Sequence, residues 1–183
     1  MKIVAFYTPS YRHIVQGLLD SVEKFGYDIH AEEVEDRGTW EENCAQKPEV
    51  IHRCMQEYKE DILYLDADAV INRELPMEDL TGDKIKFYVL VWNDGAKRVN
   101  ELLSGTVYIP YNEENLEIVK KWKAHQINNP MIWDQVTFGE VLNKMDNYQF
   151  ITLDAAWCYV EKYHKGLVDN PIIIHGQASR VMK

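Results

Sequence analysis

Cysteine is scarce and unpatterned in this sequence. Its three cysteines, Cys44, Cys54 and Cys158, form no CxxC pair. That spacing argues against a structural zinc site or a disulfide framework and points to a reducing compartment. Basic residues are in deficit too: 20 Lys and Arg stand against 30 Asp and Glu, a formal charge of -10. A surface that coats nucleic acid needs a basic footprint, so that class is excluded. Long apolar runs are also missing. None approaches the roughly 20 residues needed to span a bilayer. The opening MKIVAFYTPSYRH lacks a signal-peptide core and reads as a buried first strand. A soluble cytoplasmic protein is expected, with oligomeric state left open. An acidic chain can still hold a phosphorylated small molecule if a cation supplies positive charge locally.

What is present alternates between strand and helix patterns. KIVAFY (2–7) reads as a strand, then Ile14, Val15, Leu18, Leu19, Val22 and Phe25 recur at helical spacing up to Gly26. YDIHAEEV (27–34) reads as a second strand, followed by a charged, irregular stretch over 35–46. Pro48 sits at a first helical position before the apolar stripe Val50, Ile51, Cys54, Met55 and Tyr58. DILYLDADAVI is read as the central strand and its exit, with KIKFYVLVW (84–92) and GTVYIPY (105–111) as further strands. Asn112 caps a helix to about His125, and a second late helix runs from about Trp133 to Met145. YQFITL (148–153) and PIIIH (171–175) close the chain as short strands. No repeat or linker appears, so one α/β domain over 1–183 is expected.

LYLDADAV (63–70) breaks the apolar pattern with two carboxylates, Asp66 and Asp68, one residue apart. Continued as a strand, it would turn both to one side with Ala67 facing away. Like charges held that close call for a cation between them. The carboxyl end of a buried strand is where open α/β sheets collect ligands. Hard oxygen ligands suit Mg²⁺ or Mn²⁺. The plain alternative is a solvated, Asp-rich turn. A third reading takes DADAV as the DxDx(T/V) signature of an aspartate-nucleophile phosphatase, but two strands precede it and TGDKIKF (81–87) does not continue into GDxxxD. An EF-hand fails, since its sixth position would be Ile71 and its twelfth Met77.

The stretch RGTWEENCAQKPEVIHRCMQEYKEDILYLDADAVI (37–71) resembles nucleotide-diphospho-sugar transferases of the GT-A glycosyltransferase type. SGTVYIP (104–110), WDQ (133–135) and IIIHGQASR (172–180) fit the same family in the same order. The resemblance implies a GT-A-like, Rossmann-like mixed sheet flanked by helices. It also implies transfer of a sugar from a nucleoside-diphosphate sugar, UDP-sugar favoured, to an acceptor hydroxyl with Mn²⁺ or Mg²⁺. It makes Asp66, Asp68 and His175 the metal ligands, with Asp66 also near the ribose, and the imidazole tilts the choice towards Mn²⁺. Thr8, Pro9 and Tyr11 would frame base and ribose. Ser104, Gly105 and Gly176 would line the donor site, and Lys47 and Arg180 would contact phosphates. Asp134 would act as the base of an inverting transfer, or Gln135 or Asp134 would stand beneath the sugar in a retaining one, and the sequence does not separate the two outcomes. Trp133 and Asp134 also read as a hydrophobic staple and an N-cap. The chain has Leu103 where many relatives carry Asn, which leaves the identity of the sugar open. A nucleotide-binding protein of the same fold without catalysis is the remaining alternative.

Overall fold

The computed structural model describes residues 1–145 and 148–177. Six strands form one mixed sheet. β1 (Lys2–Tyr7) lies between parallel partners β2 (Ile29–Glu33) and β3 (Ile62–Leu65). Beyond β3 come β6 (Lys97–Ile109), antiparallel to it, then β5 (Lys86–Asp94), then the two-residue β7 (Ile151–Thr152). A second, two-stranded sheet pairs β4 (Ala69–Ile71) with β8 (Ile173–His175).

Strand alternation sorts the core into two layers. Ile3, Ala5, Leu63 and Leu65 face α1 (Arg12–Lys24), whose Val15, Leu18 and Val22 cover them. Val4, Phe6, Ile62 and Tyr64 face the other way, among side chains of α3 (Lys47–Tyr58), α4 (Glu113–Asn128) and α5 (Asp134–Asn143). A strand buried on both faces must be apolar throughout, which is why ILYL carries no polar break before Asp66. At about 1.5–3 kcal/mol per fully buried large apolar side chain, the sheet's centre is its most firmly held part.

The helix boundaries follow local chemistry. Gly26, at φ 70°, ends α1: its N–H donates to Glu23 O and that of Tyr27 to Val22 O. Such a left-handed residue costs glycine little. Pro48 sits in the first turn of α3, and Asn112 caps α4 by accepting the Asn115 N–H. The stretch 35–46, expected to be irregular, contains a short helix, α2 (Trp40–Cys44), held by a capping box between Thr39 and Glu42. Asp134 is the first residue of α5 and not its cap; Trp133 occupies that position without a side-chain bond.

The strand expected to run through DADAV stops at Leu65. Asp66 N–H donates to Gly105 O, the last bond to β6, and a tight turn is then closed by Ala69 N–H on Asp66 O. The chain emerges as β4 in the other sheet. The two aspartates are thus turn residues, not neighbours on one strand face.

Candidate active site

Two remote segments meet at that turn. β4 pairs with β8 so that Ala69 stands opposite His175, and Gly176 N–H donates to Asp68 O at 3.1 Å. The pairing draws the imidazole onto the aspartates. Asp66, Asp68 and His175 each offer one ligand atom, and these lie within 4.8 Å of one another. His175 Nε2 is 2.9 Å from Thr106 Oγ1, and Nδ1 is 3.5 Å from Asp68 Oδ1. If Nε2 carries the proton and donates to Thr106, the Nδ1 lone pair turns towards the carboxylates, the arrangement metal-binding histidines favour. A Cβ at Gly105 would come within 2.9 Å of His175 Cε1 and 3.2 Å of Asp66 Oδ2. Only glycine leaves room for this convergence. Two carboxylates and one imidazole suit Mn²⁺ or Mg²⁺, so the residues present fit such an ion.

Beneath this group lies a second, buried charge cluster. Lys47, 3% exposed, is 2.7 Å from Asp134 Oδ2 and 3.0 Å from Asp66 Oδ1, and donates to Ser104 Oγ at 3.0 Å. Ser104 in turn donates to Asp134 Oδ2 at 2.6 Å, and Tyr64 to Asp66 Oδ1 at 3.0 Å. Burial alone would push the Lys47 ammonium towards neutrality, but Asp134 and Asp66 outweigh it and its pKa is raised. Burial raises the Asp66 carboxyl, Lys47 opposes that rise, and Asp68 adds to it. Burial also pushes His175 down, but Cys158 and Asp68 beside it lift it well above its usual value. An ammonium has three protons, and those of Lys47 are taken by Asp134, Asp66 and Ser104. The phosphate contact expected of Lys47 does not fit this placement. Asp134, 5% exposed and bound by Lys47 and Ser104, likewise forms part of the floor and is not an open base.

Two clefts open from the aspartates. One, of about 370 Å³, runs between the loop after β1 and the segment carrying α2; Thr8, Tyr11, Asp36, Trp40, Asn43 and Asp66 are among its walls. Pro9 begins the turn Pro9–Tyr11 but stays exposed outside this cleft. The other cleft is lined by Leu103, Ser104, Gly105, Gln135, Tyr163 and His175 among others. There Gln135 Nε2 donates to Glu101 Oε1 at 2.6 Å. Trp40 borders both clefts and meets Trp133 edge-on, ring centres 5.6 Å apart. Gly176 supports Asp68 from behind, and Arg180 falls outside the described residues.

Several cleft residues were not singled out from sequence. Asp36 and Asn43 are bonded to each other in the α2 segment. The Thr39-Trp-Glu-Glu42 capping signature was the signal that could have exposed this element. Cys158, Val160 and Tyr163, near α6 (Glu161–His164), carry no comparable sequence mark.

The six-stranded mixed sheet flanked by helices is a GT-A-like fold, shared with a solved glycosyltransferase. A solved structure with the same architecture is that of a glycosyltransferase involved in the glycosylation of the major capsid of PBCV-1. It is 16% identical, with a TM-score of 0.76, over 96% of this chain and 92% of that one. A search of curated proteins gives no match. The profile of the nucleotide-diphospho-sugar transferase family matches residues 11–180. The chain belongs to that family, and by class it is a glycosyltransferase. The phosphatase and non-catalytic readings give way to this assignment.

Proposed function

We propose that this transferase takes its sugar from a UDP-sugar, passes it to an acceptor hydroxyl, and needs Mn²⁺ or Mg²⁺ to do so, with residues 1–183 working as one domain. The observation that carries the proposal is the convergence of Asp66, Asp68 and His175 within 4.8 Å at the meeting point of two clefts. When bound, the cation would supply Lewis-acid stabilisation of the charge developing on the departing diphosphate.

The chain's own residues account for the rest. Tyr11 and the α2 segment offer the base a cleft with an aromatic wall, and Thr8 and Asp66 stand near enough to meet the ribose. That cleft, about 370 Å³, falls within the roughly 300–1,000 Å³ usual for ligand sites. Ser104, Gly105 and Gln135 face the sugar side, with Gln135 oriented by Glu101. The Leu103 side chain offers no hydrogen bond there, so hydroxyl recognition rests on its polar neighbours in the cleft, among them Ser104, Gln135 and Glu101. Lys47 and Asp134 position the site: they fix Asp66 from below, so its carboxylate need not reorganise when ligands arrive. Gly176 N–H bonds the backbone carbonyl of Asp68 and so holds the turn that carries that carboxylate. A cytoplasmic setting agrees with the three free cysteines.

The test is a thermal-shift titration with UDP, with and without MnCl₂, followed by UDP-sugar turnover. The wild type should be stabilised by both ligands together. Asp68→Ala should lose that stabilisation and at least a hundredfold of turnover while its far-UV circular dichroism is kept. Full activity in the variant would remove the metal assignment.

A further inference from the structure

The sugar-side cleft does not end at Gln135. Glu101, Trp133 and Gln135 also wall a neighbouring groove of about 690 Å³, between the β5–β6 ribbon and α5. From Tyr88 to Asp94, β5 is paired only with β6, which lets the ribbon project past the main sheet and leaves this groove beside it. Its rim carries large rings in the open: Trp92 is 43% exposed, Trp133 44% and Phe150 42%. Apolar rings of this size left in water along one concavity mark a binding surface.

The polar groups among these rings narrow the occupant. The lining holds Asn100, Gln135 and Asn143 amides and the Glu101 and Glu140 carboxylates, and among the described residues no lysine or arginine lines it. Glu140 is matched by His125 Nε2 at 2.6 Å and Glu101 by the Gln135 amide, so the groove presents no described lysine or arginine to a phosphorylated or acidic ligand. Carboxylates and amides are the partners that vicinal hydroxyls need, and exposed indole and phenyl faces pack against the C–H face of a pyranose ring. We infer that this groove is the acceptor subsite and that its occupant is a neutral saccharide. A chain of sugars lying there would run from Trp92 and Phe150 towards Gln135, where the acceptor hydroxyl meets the donor. This inference rests on the transferase reading for its direction, but the saccharide contact itself does not depend on a donor.

Gly139 provides the obstruction test. It lies in the groove wall on α5, and a Cβ there would meet nothing within 4 Å. Gly139→Leu should fold, since it replaces glycine in a helix interior with a strong helix former, and its side chain would fill the groove. Saccharide binding is read by tryptophan fluorescence and saturation-transfer NMR, using methyl glycosides and trisaccharides of glucose, galactose, mannose, xylose and N-acetylglucosamine. At least one should bind the wild type, and Gly139→Leu and Trp92→Ala should each weaken it at least tenfold. Both variants should keep nucleotide stabilisation and hydrolysis of the donor by water. If none binds, or if the variants bind as well as wild type, the inference is overturned. Occupation of the groove by an unglycosylated peptide or a detergent in preference to every sugar would overturn it as well. Saccharide binding without any nucleotide binding would sustain the groove and sink the donor reading instead.

Discussion

Lys47 is an ammonium almost without water, and its partners explain how it can stay charged. Asp134 and Asp66 lie 2.7 and 3.0 Å from it, and Ser104 completes the shell. Removing one member of such a buried group costs far more than the group contributes as a whole, because the remaining charges keep their desolvation penalty. Lys47→Met should therefore lower stability by about 3–5 kcal/mol, a fall in Tm on the order of 10 °C for a chain of this size. Differential scanning calorimetry would read it, and an unchanged Tm would show that the cluster is not the site's foundation. The family resemblance implied a phosphate contact for Lys47, and a lysine before a proline carries no sign of its burial in the sequence. Three-dimensional closure decides that, through Ser104 and Asp134, 57 and 87 positions later in the chain.

At the scale of elements, the cleft proposed for the nucleotide depends on a five-residue helix with little intrinsic stability of its own. α2 is secured by Thr39 Oγ1 accepting the Glu42 N–H at 3.1 Å and by Glu42 Oε2 accepting the Thr39 N–H at 3.2 Å. Thr39→Ala should cost about 1 kcal/mol. Because α2 carries Trp40, Asn43 and Cys44 into the cleft wall, UDP affinity should fall several-fold in the same variant. Calorimetric titration would detect it, and unaltered affinity would mean that α2 does not frame the base. The long, periodic elements were legible in sequence: α1, α3 and α4 carry apolar stripes with capping or proline signals at their ends. β3 was also legible, but its end was not. A continuous pattern from ILYL to AVI conceals a change of sheet, because the strand that leaves the turn at Asp66–Asp68 finds its partner, β8, more than a hundred residues away. Asp66, Asp68 and His175 were nevertheless expected together, from the resemblance rather than from strand geometry.

For the whole molecule, the candidate metal group is also a titrating group, and the two roles oppose each other in pH. His175 has a raised folded value because Cys158 and Asp68 outweigh its burial. In the metal-free protein, its contact with Asp68 adds stability below the ordinary value of 6.5, and that contribution is lost as pH rises through the raised folded value. Cation binding needs the imidazole neutral, so a proton and a metal compete for it. Stabilisation by MnCl₂ with UDP should therefore grow with rising pH, while the metal-free protein loses part of its stability over the same range. Thermal unfolding between pH 6 and 9, with and without both ligands, separates the curves. Parallel curves would contradict the competition. The net charge of -10 adds a second expectation for the molecule: a diphosphate approaches an acidic surface, so without a cation its binding should be weak.

The most direct measurement is pulsed electron paramagnetic resonance of Mn²⁺ bound to the protein with UDP. The account predicts a nitrogen modulation from one imidazole ligand, present in the wild type and absent in His175→Asn, together with loss of bound Mn²⁺ in Asp68→Ala. A manganese signal without an imidazole nitrogen, or one unchanged by either substitution, would contradict the assignment of Asp66, Asp68 and His175 as the metal centre.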